Sequence, residues 1–337
     1  MIAEPELHPP LERERARSRL ATVQAFLTEF AVHDWLVLVY LCILNVVALL
    51  APPHPLRMRC QLEVLGLLLS LVLTLILVRG RILRDAWVPP LIYRLTIYGT
   101  VQLSYFFFRH YLPVVNPRSL DLRLYHFDQQ LFGVEPAMYL DRLVSPITTE
   151  WFAFFYFGYF FVLAIHVIPI LFLVRRHRVL GEFAMGMLTI FCIGHVLYMI
   201  VPGYGPYRAM SGEFRHAFPT GMWLDDVMSA VASGGAQKDI FPSLHTGAPT
   251  FITLFCYRHR ATLPFRYTWP ILAFFAINII IATMFLRWHY VIDVVAGLLL
   301  AVLGRYVGAV VTDRELTRRE RLRLTTDNWP LFGERAR

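Results

Sequence analysis

Eight long apolar runs constrain what this chain can fold into more than any other feature of its sequence. Crossing the hydrocarbon of a bilayer takes about 20 helical residues, and each run has close to that length. Hydrophobic residues make up 57% of the chain and charged residues 17%, whereas soluble domains average about 45–50% and about 25%. The pattern predicts an all-α, polytopic membrane helical bundle with about eight transmembrane helices. The runs are 33–51, 62–79, 90–112, 151–174, 183–201, 241–257, 268–286 and 289–311.

The basic residues between these runs indicate how the bundle is oriented. Short arginine-rich loops of membrane proteins lie in the cytoplasm, and here such loops alternate onto one face, as with "RRHR" at 175–178 and "RHR" at 258–260. The net charge of +8 therefore belongs to loops and does not indicate nucleic-acid binding. We expect a cytoplasmic N-terminal tail (1–32), N-terminal spans (33–112), a core (113–311) with external interfacial segments at 113–150 and 202–240, and a cytoplasmic C-terminal tail (312–337).

Charged residues open the last apolar run, in "RWHYVID" at 287–293. His289 and Asp293 are four residues apart, so on a helix they lie on one face, one turn from each other. An Asp in that position can accept the Nδ1–H of the imidazole, which leaves Nε2 as a free lone pair. A carboxylate within the bilayer is costly and needs a partner. The pair is typical of a nucleophilic or basic histidine.

A second histidine opens the sixth run, in "FPSLHTG" at 241–247. Ser243 is a favoured helix N-cap, and the amides of a first helical turn attract an anion. His245 is placed to give a proton to a leaving oxygen. The alternation of the loops predicts that His245 and His289 both lie at the non-cytoplasmic surface, although they belong to different helices.

The turn "VPGYGPYR" at 201–208 offers a ligand for an anion at the same surface. Arg208 can hold phosphate through two hydrogen bonds, and Arg287 is a second candidate for that role. His195 and Tyr207 are candidates for supporting positions behind these residues. The aromatic run "WFAFFYFGYFF" at 151–161 is interpreted mainly as lipid-facing packing, and Lys238 and Asp239 as solvated loop residues.

The motifs "FPSLH" and "HYVID" resemble two signature motifs of the type 2 phosphatidic acid phosphatase superfamily. They are most similar to the branch that contains fungal inositol phosphorylceramide synthase, and "FDQQLFGVEP" at 127–136 resembles a further segment of that branch. The resemblance covers most of 125–300 and implies a six-helix phosphatase-like catalytic core. It departs from the classical pattern in two places. "GYGPYR" stands where K-x6-RP is usual, and Ala282 and Thr283 replace the classical Ser-Arg pair.

The resemblance implies phosphoryl transfer without a metal or other cofactor. His289 would attack phosphorus, Asp293 would orient it, and His245 would protonate the departing alcohol. Ser243 and an arginine would hold the phosphate oxygens. The expected partners are a lipid phosphate substrate, a lipid alcohol acceptor and the bilayer, with no nucleic acid. The expected location is a bacterial cell membrane, with the active site facing the periplasm or exterior.

Several functions remain open at this point. The resemblance favours transfer of an inositol phosphate-type head group to a lipid alcohol, as in sphingolipid synthesis. A phosphatase of polyprenyl or phosphatidic-type lipid phosphates is the alternative among enzymes of this kind. A metal-dependent hydrolase would use His245, His289 and Asp293 as ligands. A lipid transporter or scaffold of the same fold would need no catalytic set.

Overall fold

A computed structural model describes residues 21–333 of the chain, and the regular structure in this range is helical. Beyond the helices, the described residues contain one isolated bridge, between Gly203 and Asp239. The predicted N-terminal tail, 1–32, lies mostly outside the described range. In chain order the helices are α1 (Val32–Leu50), α2 (Arg57–Arg79), α3 (Val88–Val115), α4 (Asp121–Phe132), α5 (Pro136–Leu140), α6 (Pro146–Leu173), α7 (His177–Ile200), α8 (Pro206–Ala209), α9 (Met222–Gly234), α10 (Leu244–Arg258), α11 (Phe265–Phe285) and α12 (Val291–Leu322), with a 3-10 turn at Asp141–Leu143.

The all-helical prediction is confirmed, and all eight predicted runs form helices. Six helices are long and apolar enough to cross a membrane, namely α1, α2, α6, α7, α11 and α12. The other two predicted spans differ. Helix α3 has 28 residues but is not among the six because polar residues interrupt its apolar run.

The sixth predicted span, 241–257, is shorter than expected. Its first residues, Phe241 to Ser243, form the approach and N-cap, so α10 has only 15 residues. At 1.5 Å per residue its length is about 22 Å, less than the hydrocarbon thickness. Helix α10 lies among α6, α7, α11 and α12, and nine of its residues are buried. It is a core helix that carries a site residue to one end of the bundle.

Helices α10 and α12 approach each other closely at that end. A Cβ placed on Gly297 of α12 would clash with the carbonyl oxygen of Ser243 and would lie 3.1 Å from Cβ of Thr246. Small residues let membrane helices approach in this way. The backbone N–H of Ser243 donates to the carbonyl of Asp293 at 3.0 Å. Backbone contacts therefore fix the two helix starts relative to each other.

The opposite end of the bundle is closed by a buried polar network. Arg79 donates to Asp34 at 2.8 Å and to the carbonyl of Asn328 at 3.0 Å. Trp329 is fully buried and stacks on His33 with ring centroids 4.3 Å apart. Residues of the predicted C-terminal tail thus pack against the first three helices, at the far end of α12 from Asp293.

Candidate active site

The two histidine motifs meet at one end of the bundle. His245 lies in the first turn of α10, and His289 lies in the turn before α12. Their ring centroids are 6.2 Å apart. Both rings line a cavity of about 400 Å³. The structure therefore brings together the two imidazoles that sequence separates by more than forty positions.

His289 faces the carboxylate that the spacing predicts. Its Nδ1 lies 3.5 Å from Oδ2 of Asp293, just outside hydrogen-bond range. Oδ2 of Asp293 accepts from the backbone N–H of Tyr290 at 2.9 Å. Among the described residues, Nδ1 of His289 and Oδ1 of Asp293 have no hydrogen-bond partner. A small side-chain movement would close this contact, and the ring of His289 lines the cavity.

His245 is held by aromatic rings rather than by a charge. Tyr156 stacks on it with centroids 4.5 Å apart and planes 13° from parallel, and Tyr159 packs at 4.2 Å. Both tyrosines are buried, and Phe157 and Phe160 line the cavity. The interpretation of 151–161 as mainly lipid-facing is therefore wrong for these residues. Nε2 of His245 finds no partner in the described part of the chain.

The turn at 203–208 forms another wall of the cavity. Tyr207 and Arg208 both line it, and the guanidinium carbon of Arg208 lies 4.1 Å from the centre of the Tyr204 ring. The backbone N–H of Tyr207 donates to the carbonyl of Arg287 at 2.6 Å. Gly205 has a φ of +80°, and a Cβ there would clash with the carbonyl of Trp288. Glycine at this position lets the turn rest directly on the segment before His289.

Two predicted phosphate ligands lie outside the cavity wall. The Arg287 guanidinium donates to Asp141 at 2.7 Å and to the carbonyl of His216 at 2.6 Å, and it packs between the rings of Phe214 and Phe218. Ser243 is fully buried, and its hydroxyl accepts from the N–H of Thr246 at 3.3 Å. Arg287 is thus neutralised by a carboxylate, and the Ser243 hydroxyl is engaged as a helix cap.

His195 lies behind the cavity. It is buried, and its Nδ1 is 2.9 Å from the hydroxyl of Tyr40. Its ring stacks at 5.9 Å on that of Tyr105, which does line the cavity. His195 therefore supports a wall residue, and Tyr207 is a wall residue itself.

Three aspartates of the predicted external segment 113–150 hold the turns around the cavity, and the sequence analysis did not predict them. Asp128 accepts from the N–H groups of Val291 and Ile292 at 2.6 and 3.2 Å, so it caps the start of α12. Asp121 accepts from the N–H groups of Tyr204 and Gly205 at 2.9 and 2.8 Å. Asp141 holds Arg287, as described above. No local signal marked these carboxylates, because the segment contains other charged residues and their partners are distant in sequence.

Lys238 and Asp239 are also not the solvated loop residues that the sequence suggested. Lys238 is 1% exposed, and its Nζ donates to the carbonyls of Asn116 and Arg118, both at 2.7 Å. Asp239 lines the cavity and accepts from the hydroxyl of Tyr105 at 2.9 Å. Burial raises the pKa of the Asp239 carboxyl, whereas the Tyr105 hydrogen bond and the charge of His289 oppose that shift.

Glu135 lies close enough to Asp128 and Asp293 to interact with their charges. Its carboxylate accepts from the N–H of Met138 at 2.9 Å, while its Oε1 is buried and has no partner in the described chain. Burial, followed by the charges of Asp128 and Asp293, raises the pKa of Glu135 from 4.5 to about 7. The Glu135 carboxyl therefore changes its protonation state near neutral pH.

Replacing Glu135 by glutamine is expected to remove part of the pH dependence of stability. Between pH 4.5 and about 7 the folded state holds this proton, whereas the unfolded state has lost it. The wild-type protein therefore loses stability as the pH rises through that window, and the glutamine variant does not. The free energy of unfolding of E135Q relative to wild type should therefore rise by about 1–3 kcal/mol between pH 5 and pH 8. Reversible unfolding in detergent measures it, and an unchanged difference would contradict the assignment.

A metal site does not form from the predicted residues. Among residues 21–333, no three His, Cys, Asp or Glu side chains are grouped so that they could hold a metal ion. His245 and His289 face each other across the cavity, while Asp293 lies behind His289 on α12. The ligand set of the metal-hydrolase interpretation is therefore not assembled.

The fold and the paired histidines define a helical membrane protein with a cavity at the histidine end of its bundle. Residues 122–307 match the PAP2 superfamily, more than half of the 337-residue chain, and the chain belongs to that superfamily. Membership supports the general class of membrane lipid phosphatases and phosphotransferases. No curated protein and no solved structure matches the chain. The branch resembling inositol phosphorylceramide synthase stays a prediction.

Proposed function

We propose that this protein moves a phosphoryl-containing group from a lipid through a covalent intermediate on His289. Nε2 of His289 attacks phosphorus, a P–N bond forms, and the P–O bond to the lipid alcohol breaks. His245 gives its proton to the departing oxygen and then takes a proton from the acceptor, whose oxygen displaces the histidine. The observation that carries this proposal is that the two imidazoles, with ring centroids 6.2 Å apart, line the same cavity, so that both can reach one phosphate group bound in it.

Asp293 and Arg208 have complementary roles in this proposal. Asp293 accepts the Nδ1–H of His289 and stabilises the positive charge that the ring acquires when it bonds to phosphorus. Arg208 reaches the cavity wall and offers paired N–H donors to the phosphate oxygens. Ser243 and Arg287 do not contact the phosphate in this proposal. Ser243 fixes the start of α10, and Arg287 ties the 287–289 turn to Asp141.

The cavity is large enough for a lipid head group. Its volume of about 400 Å³ falls in the range of small-molecule pockets, as both transfer and hydrolysis require. The resemblance of "FPSLH" and "HYVID" to the inositol phosphorylceramide synthase branch favours transfer of a phosphate-linked head group to a lipid alcohol, with hydrolysis of a polyprenyl or phosphatidic-type phosphate as the alternative. We further propose that this chemistry occurs on the periplasmic or outer side of a bacterial membrane, and the short basic loops at the other face support that orientation.

Product analysis tests this function. Purified protein is incubated with phospholipids labelled at phosphorus, with and without long-chain alcohols, and the products are separated. A new labelled phosphodiester that depends on added alcohol is the expected result, and it should persist in EDTA. Free phosphate alone would establish the phosphatase alternative. Movement of lipid between leaflets without cleavage of any P–O bond would support the transporter or scaffold and overturn the proposal.

A further inference from the structure

Asp239 is an unexpected residue in a cavity that would receive phosphate. Among the described residues, it is the one acidic side chain that lines the cavity, which it shares with both imidazoles and Arg208. Like charges repel strongly when water is largely excluded, and at 4 Å the interaction costs about 4 kcal/mol even at an effective dielectric constant of 20. The carboxylate is therefore not a phosphate ligand. Its position calls for a partner that donates hydrogen bonds.

The surrounding contacts hold Asp239 in place on three sides. Its backbone pairs with Gly203 in the bridge between the two loops, and the neighbouring Lys238 is tied to two carbonyl groups. The Tyr105 hydroxyl donates to Oδ2, and His195 backs the Tyr105 ring. A carboxylate has about four lone-pair positions. The Tyr105 hydroxyl and the backbone N–H groups of Gln237 and Asp239 interact with this carboxylate, which leaves one acceptor position for a ligand in the cavity.

Eight aromatic residues form a large part of the remaining cavity wall. Ring faces flank a small polar or cationic group without competing for its hydrogen bonds. A carboxylate among such faces suits a hydroxyl or ammonium group, which supplies N–H or O–H donors. The aromatic residues that line the cavity are Tyr105, Phe106, Tyr156, Phe157, Phe160, Tyr204, Tyr207 and Trp288.

We propose that Asp239 accepts a hydrogen bond from a hydroxyl or ammonium group of the head group esterified to the reacting phosphorus. The site then selects phosphodiester lipids with donor-bearing head groups over phosphate monoesters. A monoester carries nearly two negative charges at neutral pH, whereas a diester carries one and brings the donor with it. This assignment rests on the proposed function, in which the lipid alcohol leaves and the head group stays on phosphorus.

Four lipids and one substitution test the role of Asp239. Phosphatidylethanolamine and phosphatidylglycerol carry N–H and O–H donors, phosphatidylcholine has the charge of the first lipid but no donor, and phosphatidic acid is a monoester. Wild type should turn over the two donor-bearing lipids fastest. D239N should lower kcat/KM for those two by about 10- to 100-fold, the worth of a hydrogen bond to a charged group, and lower it clearly less for phosphatidylcholine, whose cation the carboxylate attracts without a hydrogen bond. Asp226→Asn, on the exposed face of α9, is the matched control and should change nothing.

Each contrary outcome has a distinct meaning. Equal losses on all four lipids would give Asp239 a structural or general catalytic role and overturn the assignment. Equal losses on the choline and ethanolamine lipids, with phosphatidylglycerol unchanged, would show charge recognition without a hydrogen bond and also overturn it. Faster turnover of phosphatidic acid than of any diester by wild type would do the same. Turnover that survives His289→Ala, or no turnover of any of the four lipids by wild type, would count against the proposed function itself.

Discussion

Replacing His289 by alanine is expected to lower lipid turnover by at least about 10⁴-fold, because the variant lacks the atom that bonds to phosphorus. Loss of a nucleophile leaves only substrate binding and electrostatic stabilisation to accelerate the reaction. The measurement is kcat/KM with the best substrate of the product analysis, in detergent or nanodiscs. Circular dichroism and the thermal midpoint of unfolding establish that the variant is folded.

The matched control for this substitution is His166→Ala. His166 lies on α6, and its Nδ1 bonds to the carbonyl of Val162 in the same helix at 2.8 Å, away from the cavity wall. This variant should keep activity within about threefold, since His166 does not line the cavity and its hydrogen bond stays within one helix. If His289→Ala lost no more activity than His166→Ala, the covalent mechanism would be wrong.

Gly297→Ala is expected to lower turnover by about 100-fold or more, although Gly297 is not placed to touch substrate. Its added Cβ would meet the Ser243 carbonyl and lie 3.3 Å from the backbone nitrogen of Gly247. Backbone atoms cannot rotate away, so α12 must shift from α10, and the two imidazoles shift with their helices. A displacement of about 1 Å at reacting groups can cost about 100-fold. Steady-state kinetics measures the loss of turnover, and the thermal midpoint of unfolding measures the change in stability.

Gly99→Ala provides the control for helix packing. Gly99 lies within α3, and a Cβ there would meet nothing within 4 Å. Alanine also favours helix by about 1 kcal/mol over glycine, so this variant should be as stable as wild type and fully active. Full activity of Gly297→Ala, at unchanged stability, would refute the claim that the close α10–α12 approach sets the histidine geometry.

The positions of the helices and the pairing of the histidines follow from local sequence. Apolar length predicts helices in a bilayer, and every one of the eight runs became a helix. The i, i+4 spacing of His289 and Asp293 predicted a close contact, and their side chains are 3.5 Å apart although His289 lies in the turn before α12 and only Asp293 is in the helix. Alternation of the loops brought His245 to the same end. Each of these inferences uses information within about one span.

What sequence missed depends on contacts between distant segments. The sequence suggests Arg287 as a phosphate ligand, but in the fold it pairs with Asp141, which is 146 residues away. The caps that Asp121 and Asp128 supply to the turn at 204–205 and to α12 are likewise long-range. Aromatic residues in "WFAFFYFGYFF" cannot be assigned to lipid or cavity without knowing which face of α6 meets α10. Hydropathy also overestimated the length of α10, because a short helix buried in the core has the same apolar composition as a helix that crosses the membrane.

Trapping the covalent intermediate tests the paired-histidine mechanism most directly. In His245→Ala, an activated ester with a good leaving group needs no acid to react with His289, whereas breakdown of the product lacks its base. A phosphorus-labelled ester of this kind, quenched in alkali and digested, should leave acid-labile label on the peptide that carries His289. Absence of label while turnover continues, or label on any other peptide, would contradict the mechanism.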